Sequence, residues 1–132
     1  MTKAILEAGE LISRNIVDLL SQLNLVYKNS KAERQEIVVE FPGNEDDFLL
    51  LEEIELLTVN LRGYASQIQL TGKIENKMQA LENLQAMRVF NIPVIADFYF
   101  STDGKYPQMK DYIRMLDYLR LLILEYINNI SA

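Results

Sequence analysis

Apolar residues recur every three or four positions along most of this chain, and that spacing restricts it to helices packed on one another. Ile5, Ala8, Ile12, Ile16, Leu19, Leu23 and Val26 mark one face of a first helix of about seven turns, with Thr2 as its N-cap and Asn29-Ser30 as its end. A second helix opens at Asn44, a capping residue. Glu45, Asp46 and Asp47 occupy its first turn, where the helix dipole favours negative charge. Leu50, Ile54, Leu57, Leu61, Tyr64 and Ile68 mark its inner face. Beyond Thr71-Gly72 the spacing resumes at Ile74, Met78, Leu81, Leu84 and Met87, which reads as a separate helix or as one long kinked helix. Pro107 opens a last helix with a stripe at Met109, Tyr112, Leu116, Leu119, Ile123, Tyr126 and Ile130. Ile113, Leu121, Leu122, Leu124 and Ile127 widen that stripe, so this helix is either central to the bundle or packed on a second protein.

Two stretches resist the helical pattern. Glu36 to Phe41 alternates weakly and stops at Pro42-Gly43, which reads as an extended acidic connection. Residues 91–106 read as a short strand or as a short helix capped by Asn91 with Pro93 in its first turn, followed by turn chemistry at Ser101-Thr102-Asp103-Gly104. The expected fold is all-α: one helical domain spanning 1–132, a four- to five-helix bundle with a short extended segment near 36–41 or 93–100.

With 132 residues and 49% apolar content the chain is long enough for one buried core. It has no cysteine, hence no disulfide, thiol nucleophile or thiolate metal site, and no histidine, hence no imidazole base or ligand. Its apolar runs are far shorter than the roughly 18 residues that span a bilayer, and Glu7 and Glu10 interrupt any secretory signal core. A soluble, cytoplasmic, non-catalytic protein without cofactor or metal is expected.

The net charge of −6 is unevenly distributed. Between residues 33 and 55 nine carboxylates stand against Arg34 alone, and each flanking part of the chain carries one more cation than carboxylate. A polyanion approaching those flanks would not meet an acidic surface.

Cations supply the candidate site. In an unbroken helix, steps of eleven residues return to nearly the same angle. Arg62 and Lys73, and Lys77 and Arg88, stand eleven apart, with Ser66, Gln69 and Asn76 along or beside the same line. Such a carboxylate-free strip suits a nucleic-acid backbone, read without sequence preference. It equally describes a solvated helix face, and it depends on a register that runs through Gly72. Lys28, Lys31 and Arg34 form a second basic group, which also suits a helix end complementing its own dipole. Phe98, Tyr99 and Phe100 suit base stacking or, more simply, core packing. Glu45-Asp46-Asp47 lacks the spacing of a calcium loop. Gly72-Lys73 is no phosphate loop, because Gln67 and Ile74 stand where glycine and serine or threonine are needed.

In length, helical stripes, the strip Arg62, Lys73, Lys77 and Arg88, and an apolar last helix from Tyr112 to Ile130, the chain resembles the small subunits of CRISPR effector complexes of the Cascade type. The resemblance is one of overall plan, without a motif. It implies copies stacking along the complex and contact with the RNA or DNA backbone without cleavage, beside other protein subunits. No membrane and no small-molecule substrate enter this reading. The acidic segment 33–55 departs from a basic plan and suits a basic neighbouring subunit. The alternative is a helical chaperone or phage adaptor that holds a protein partner on the apolar last helix.

Overall fold

The computed structural model describes the backbone of residues 2–40, 45–101 and 104–130, and the side chains of 10–37, 50–100 and 104–128. Among these residues six α-helices are formed: α1 (Thr2–Asn29), α2 (Lys31–Glu40), α3 (Glu45–Thr71), α4 (Lys77–Met87), α5 (Pro93–Ser101) and α6 (Pro107–Ile130). A single 3-10 turn, Val89–Asn91, joins α4 to α5. The all-α architecture matches the periodicity, with one helix more than the pattern predicts.

The apolar stripes do what their spacing requires. Ile12, Ile16 and Leu23 of α1, Leu50, Ile54, Leu57, Leu61 and Ile68 of α3, and Met109 through Ile127 of α6 converge on one core. Helix α6 is its centre. It packs along α1 most extensively and also touches α2, α3, α4 and the 3-10 turn. Its wide stripe is thereby spent inside the chain: Ile113, Leu116, Leu119 and Ile123 are fully buried, while Leu121 faces outward.

The segment expected to be extended is helical at 36–40, and of the two readings open for 91–106 the helix is the one that forms. Residues 36–40 belong to α2, and 93–101 form α5 with Pro93 as its first residue. A lone strand needs a partner edge, and none exists among the described residues. Tertiary packing of Ile37, 1% exposed, instead overrides the strand preference of its β-branched neighbours. Helix α2 follows α1 through a single residue. Ser30 is completely buried, and its hydroxyl donates to the Tyr27 carbonyl at 2.8 Å while its own carbonyl accepts from the Arg34 amide at 2.8 Å. The N-cap expected at Asn44 lies outside the described residues.

At Gly72 the chain reverses. Its φ of +71° is left-handed, a conformation that costs L-residues with a Cβ roughly 1–2 kcal/mol. Its amide still bonds the Ile68 carbonyl at 2.9 Å, the usual helix stop with glycine just past the end. The Tyr126 hydroxyl of α6 then donates to the Gly72 carbonyl at 2.8 Å, tying the reversal to the central helix. In a continuous helix, Tyr64 and Asn83 would lie about 28 Å apart. Here the Asn83 amide donates to the Tyr64 hydroxyl at 2.9 Å, so the chain turns back toward α3, with α4 packed on α6. Asn76 caps α4, its Oδ1 accepting from the Gln79 amide at 3.1 Å.

Another long-range tie uses the acidic segment. The two oxygens of Glu33 accept from the amides of Gln108 and Met109, at 3.1 and 3.2 Å. These donors are orphans of the first turn of α6, and Glu33 serves as their cap from 75 residues away. Burial holds this carboxyl above its usual range, against the opposing pull of the two amides.

Two stability outcomes follow from these ties. Gly72→Ala should lose about 1–2 kcal/mol in denaturant titration, and Gly72→Asn less, because asparagine tolerates the left-handed region. The added Cβ would meet only the Tyr126 hydroxyl at 3.8 Å, so the loss reports backbone strain. Glu33→Ala should cost about 1–2 kcal/mol by the same measurement, as the loss of a helix cap does.

Candidate nucleic-acid interface

The reversal at Gly72 overturns the eleven-residue strip. Angular register cannot pass through a left-handed residue, so the four cations do not share a flank. Arg62 sits mid-way along α3 and turns toward α1, where its Nη2 donates to the Asn24 Oδ1. Lys73 is exposed in the connection after α3, Lys77 is the first residue of α4, and Arg88 follows its last turn. Asn76 is the cap of α4 and not a free amide.

Arg62 instead joins two members of the other basic group. Between the C-terminal end of α1, helix α2 and the first half of α3 lies a cleft of about 1150 Å³. Lys31, Arg34 and Arg62 line it, with Glu55 as the one carboxylate among the described residues of its wall. Tyr27 and Tyr112 supply aromatic surface, and Leu51, Ile54, Val59 and Met109 give it apolar walls. Lys28, the third member of that group, is exposed in the last turn of α1 and is not part of the lining.

Local geometry fixes each cation differently. Arg34 lies over the ring of Tyr27, with its guanidinium carbon 3.9 Å from the ring centroid. Its Nε donates to the Ser30 hydroxyl at 3.2 Å and its Nη2 to the Tyr27 carbonyl at 3.1 Å. The α1–α2 junction thus positions this side chain in advance of any ligand. Arg62 spends one amino group on Asn24, while its Nε is buried without a hydrogen-bond partner in the protein. Among the described residues none of the three cations is ion-paired; the Arg120–Asp117 pair, at 3.0 Å, lies on α6.

The floor is a polar chain within the core. Thr58 donates its one hydroxyl proton to the Ile54 carbonyl at 2.7 Å, so the Tyr112 hydroxyl, 2.7 Å from Thr58 Oγ1, is the donor of that pair. Tyr112 is 1% exposed, and burial raises its phenol above the ordinary value, with Arg62 and Arg34 among the groups opposing the rise. The Tyr27 ring meets Tyr112 at 5.5 Å, tilted by 50°. Two guanidinium groups and an ammonium around a partly apolar hollow form a cationic site whose chemistry suits an anionic group.

The aromatic run at 98–100 divides. Phe98 stacks on Tyr106 in the core, with ring centroids 5.7 Å apart, whereas Phe100 is exposed. Among the described residues no group of acidic side chains is arranged to hold a metal ion, and no helix is long and apolar enough to cross a membrane.

One sequence signal does point to the cleft. Asn24, Tyr27, Lys31 and Arg34 recur at steps of three or four, a polar and aromatic line that continues from α1 into α2. Reading the two helices as separate elements hides it. No family model matches the chain, and neither a curated protein nor a solved structure does.

Because the folded state holds the Tyr112 proton more tightly than the unfolded chain, stability should fall as pH rises past the ordinary tyrosine value of about 10. Tyr126 is shifted in the same direction by burial. Alkaline unfolding followed by circular dichroism should be shallower in Tyr112→Phe, which has no proton to lose.

Proposed function

We propose that this chain is a non-catalytic helical subunit of a nucleoprotein assembly, and that it grips the nucleic-acid backbone at the cleft of Lys31, Arg34 and Arg62. One observation carries the reading: two cationic groups that are separate in sequence meet in a single hollow, oriented by Asn24, Ser30 and Tyr27. A phosphate seated there replaces water on three positive side chains and releases counterions. Tyr27, 42% exposed at the rim, adds aromatic surface beside the Arg34 guanidinium that it holds in place. These contacts distinguish neither sequence nor, by themselves, RNA from DNA.

The acidic surface near the cleft favours a strand held at one point over a duplex laid along the molecule, since Glu52 and Glu55 of α3 are exposed close by. A small subunit of a CRISPR surveillance complex is one setting for such a contact, in which the chain would touch the guide–target duplex or the displaced strand without cutting it. The competing role, a partner held on the last helix, loses its support because that stripe is buried against the chain's own α1 and α3.

Fluorescence anisotropy with a short labelled single strand tests the proposal. Lys31→Glu, Arg34→Glu and Arg62→Glu should each weaken binding by about tenfold or more, as loss of a close phosphate contact does. The triple exchange of Lys73, Lys77 and Arg88 to glutamate should have a small effect. With three phosphate-linked cations, affinity should fall about 20- to 40-fold between roughly 50 and 200 mM salt. Equal loss in both sets of variants would refute the cleft as the site.

A further inference from the structure

Helix α3 has a second apolar line, on the side away from the core. Leu56, Val59 and Leu70 are 57%, 62% and 84% exposed, and Gly63 and Ser66 stand between them, also exposed. At 100° per residue all five lie within about 60° of a common line through Gly63, and Glu52 falls on the same line. Steps of three, four, three and four are the spacing of a coiled-coil seam.

Gly63 is the informative member. A glycine inside a helix costs roughly 1 kcal/mol relative to alanine, and this chain gives no reason for it. A Cβ placed there would meet nothing within 4 Å. A glycine in the middle of an exposed apolar line is explained when another helix crosses closely at that point.

We infer that the occupant is a second copy of this chain, with the two α3 helices antiparallel across a two-fold axis at Gly63. Positions whose numbers sum to 126 then face one another. Leu56 meets Leu70 at both ends of the contact, and Val59 and Asn60 meet Gln67 and Ser66 beside the close approach. The charges fit the same antiparallel arrangement. Glu52 and Glu53, in the N-terminal part of one α3, lie at the level of the other's C-terminal end, just past which Lys73 is exposed. Parallel pairing would set Glu52 on Glu52 and Lys73 on Lys73, which is repulsive. Antiparallel dipoles add in the favourable sense. The inference does not rest on the cleft: its cations lie to one side of this line, and the two surfaces meet at Val59, which also borders the cleft.

One helix per copy is a small contact, so association in the micromolar range is expected. Sedimentation velocity between about 10 and 300 µM should show growth from the 15.3 kDa monomer to a dimer, weakened at least about tenfold by Leu70→Glu with helical content unchanged. Because the chain has no cysteine, single replacements report the register. Gly63→Cys should form an intermolecular disulfide with itself. Leu56→Cys should not, since its two copies would sit about 21 Å apart, well beyond the roughly 7 Å limit of a disulfide. An equimolar mixture of Leu56→Cys and Leu70→Cys should link. A monomer at all concentrations would overturn the inference, as would self-linking of Leu56→Cys as fast as the mixture. A protein partner of another kind on this line would also appear as that monomeric outcome.

Discussion

The tie between Tyr126 and Gly72 organises this molecule, because it decides where the longest helical run stops and which way the chain goes next. A left-handed glycine alone ends a helix; the hydroxyl of a buried tyrosine on the central helix fixes the direction of departure. Once the chain turns back toward α3, Asn83 reaches Tyr64, and Leu84 enters the core with its carbonyl 3.4 Å from Arg120 Nη1. Helix α5 then falls against α3, the 3-10 turn packs on α5 and α6, and Phe90 meets Tyr99 with centroids 4.8 Å apart. A helix that continued through residue 72 would leave Ala80, Leu84 and Val89 without a core.

The same architecture makes the basic cleft. At the junction of α1 and α2 the helical amide bonds run on through Ser30, whose buried hydroxyl bonds the Tyr27 carbonyl, and this puts Arg34 over Tyr27. Glu33, one residue earlier, points the other way and caps α6. Neighbouring residues of opposite charge thus divide the work: the carboxylate holds the central helix in place, and the guanidinium faces the hollow beside it. Arg62 completes the site from α3. Its anchoring by Asn24 requires α1 and α3 to lie side by side, so the site exists only in the folded chain.

Much of the fold was legible in the sequence because most core contacts follow helical spacing. The stripes of α1, α3 and α6 are buried where their periodicity places them, and Pro107 and Pro93 begin helices as proline at a first position should. What escaped depends on partners distant in the chain. Residues 36–40 read as extended because their β-branched run is judged without the core that receives Ile37. The cap of α6 could not be found locally, since Glu33 stands 75 residues from its acceptor amides. For the site, the sequence places Lys31 and Arg34, with Lys28, in one basic group and Arg62 in another. Their meeting is a tertiary fact, invisible to a pattern that assumes one continuous helix from Arg62 to Arg88. The hydroxyl pair of Thr58 and Tyr112 was missed for the same reason, its members being 54 residues apart.

The central claim is that Lys31, Arg34 and Arg62 act as one anion site. It is tested most directly by nuclear magnetic resonance of the arginine side-chain Nε–H groups and tyrosine rings during titration with a short oligonucleotide. The structure predicts that the Arg34 and Arg62 Nε–H signals and the Tyr27 ring move together along one saturating curve, Arg62 Nε gaining the acceptor it lacks. Shifts confined to Arg88 and the surroundings of Lys73 and Lys77, with Arg34 and Arg62 unmoved, would contradict it.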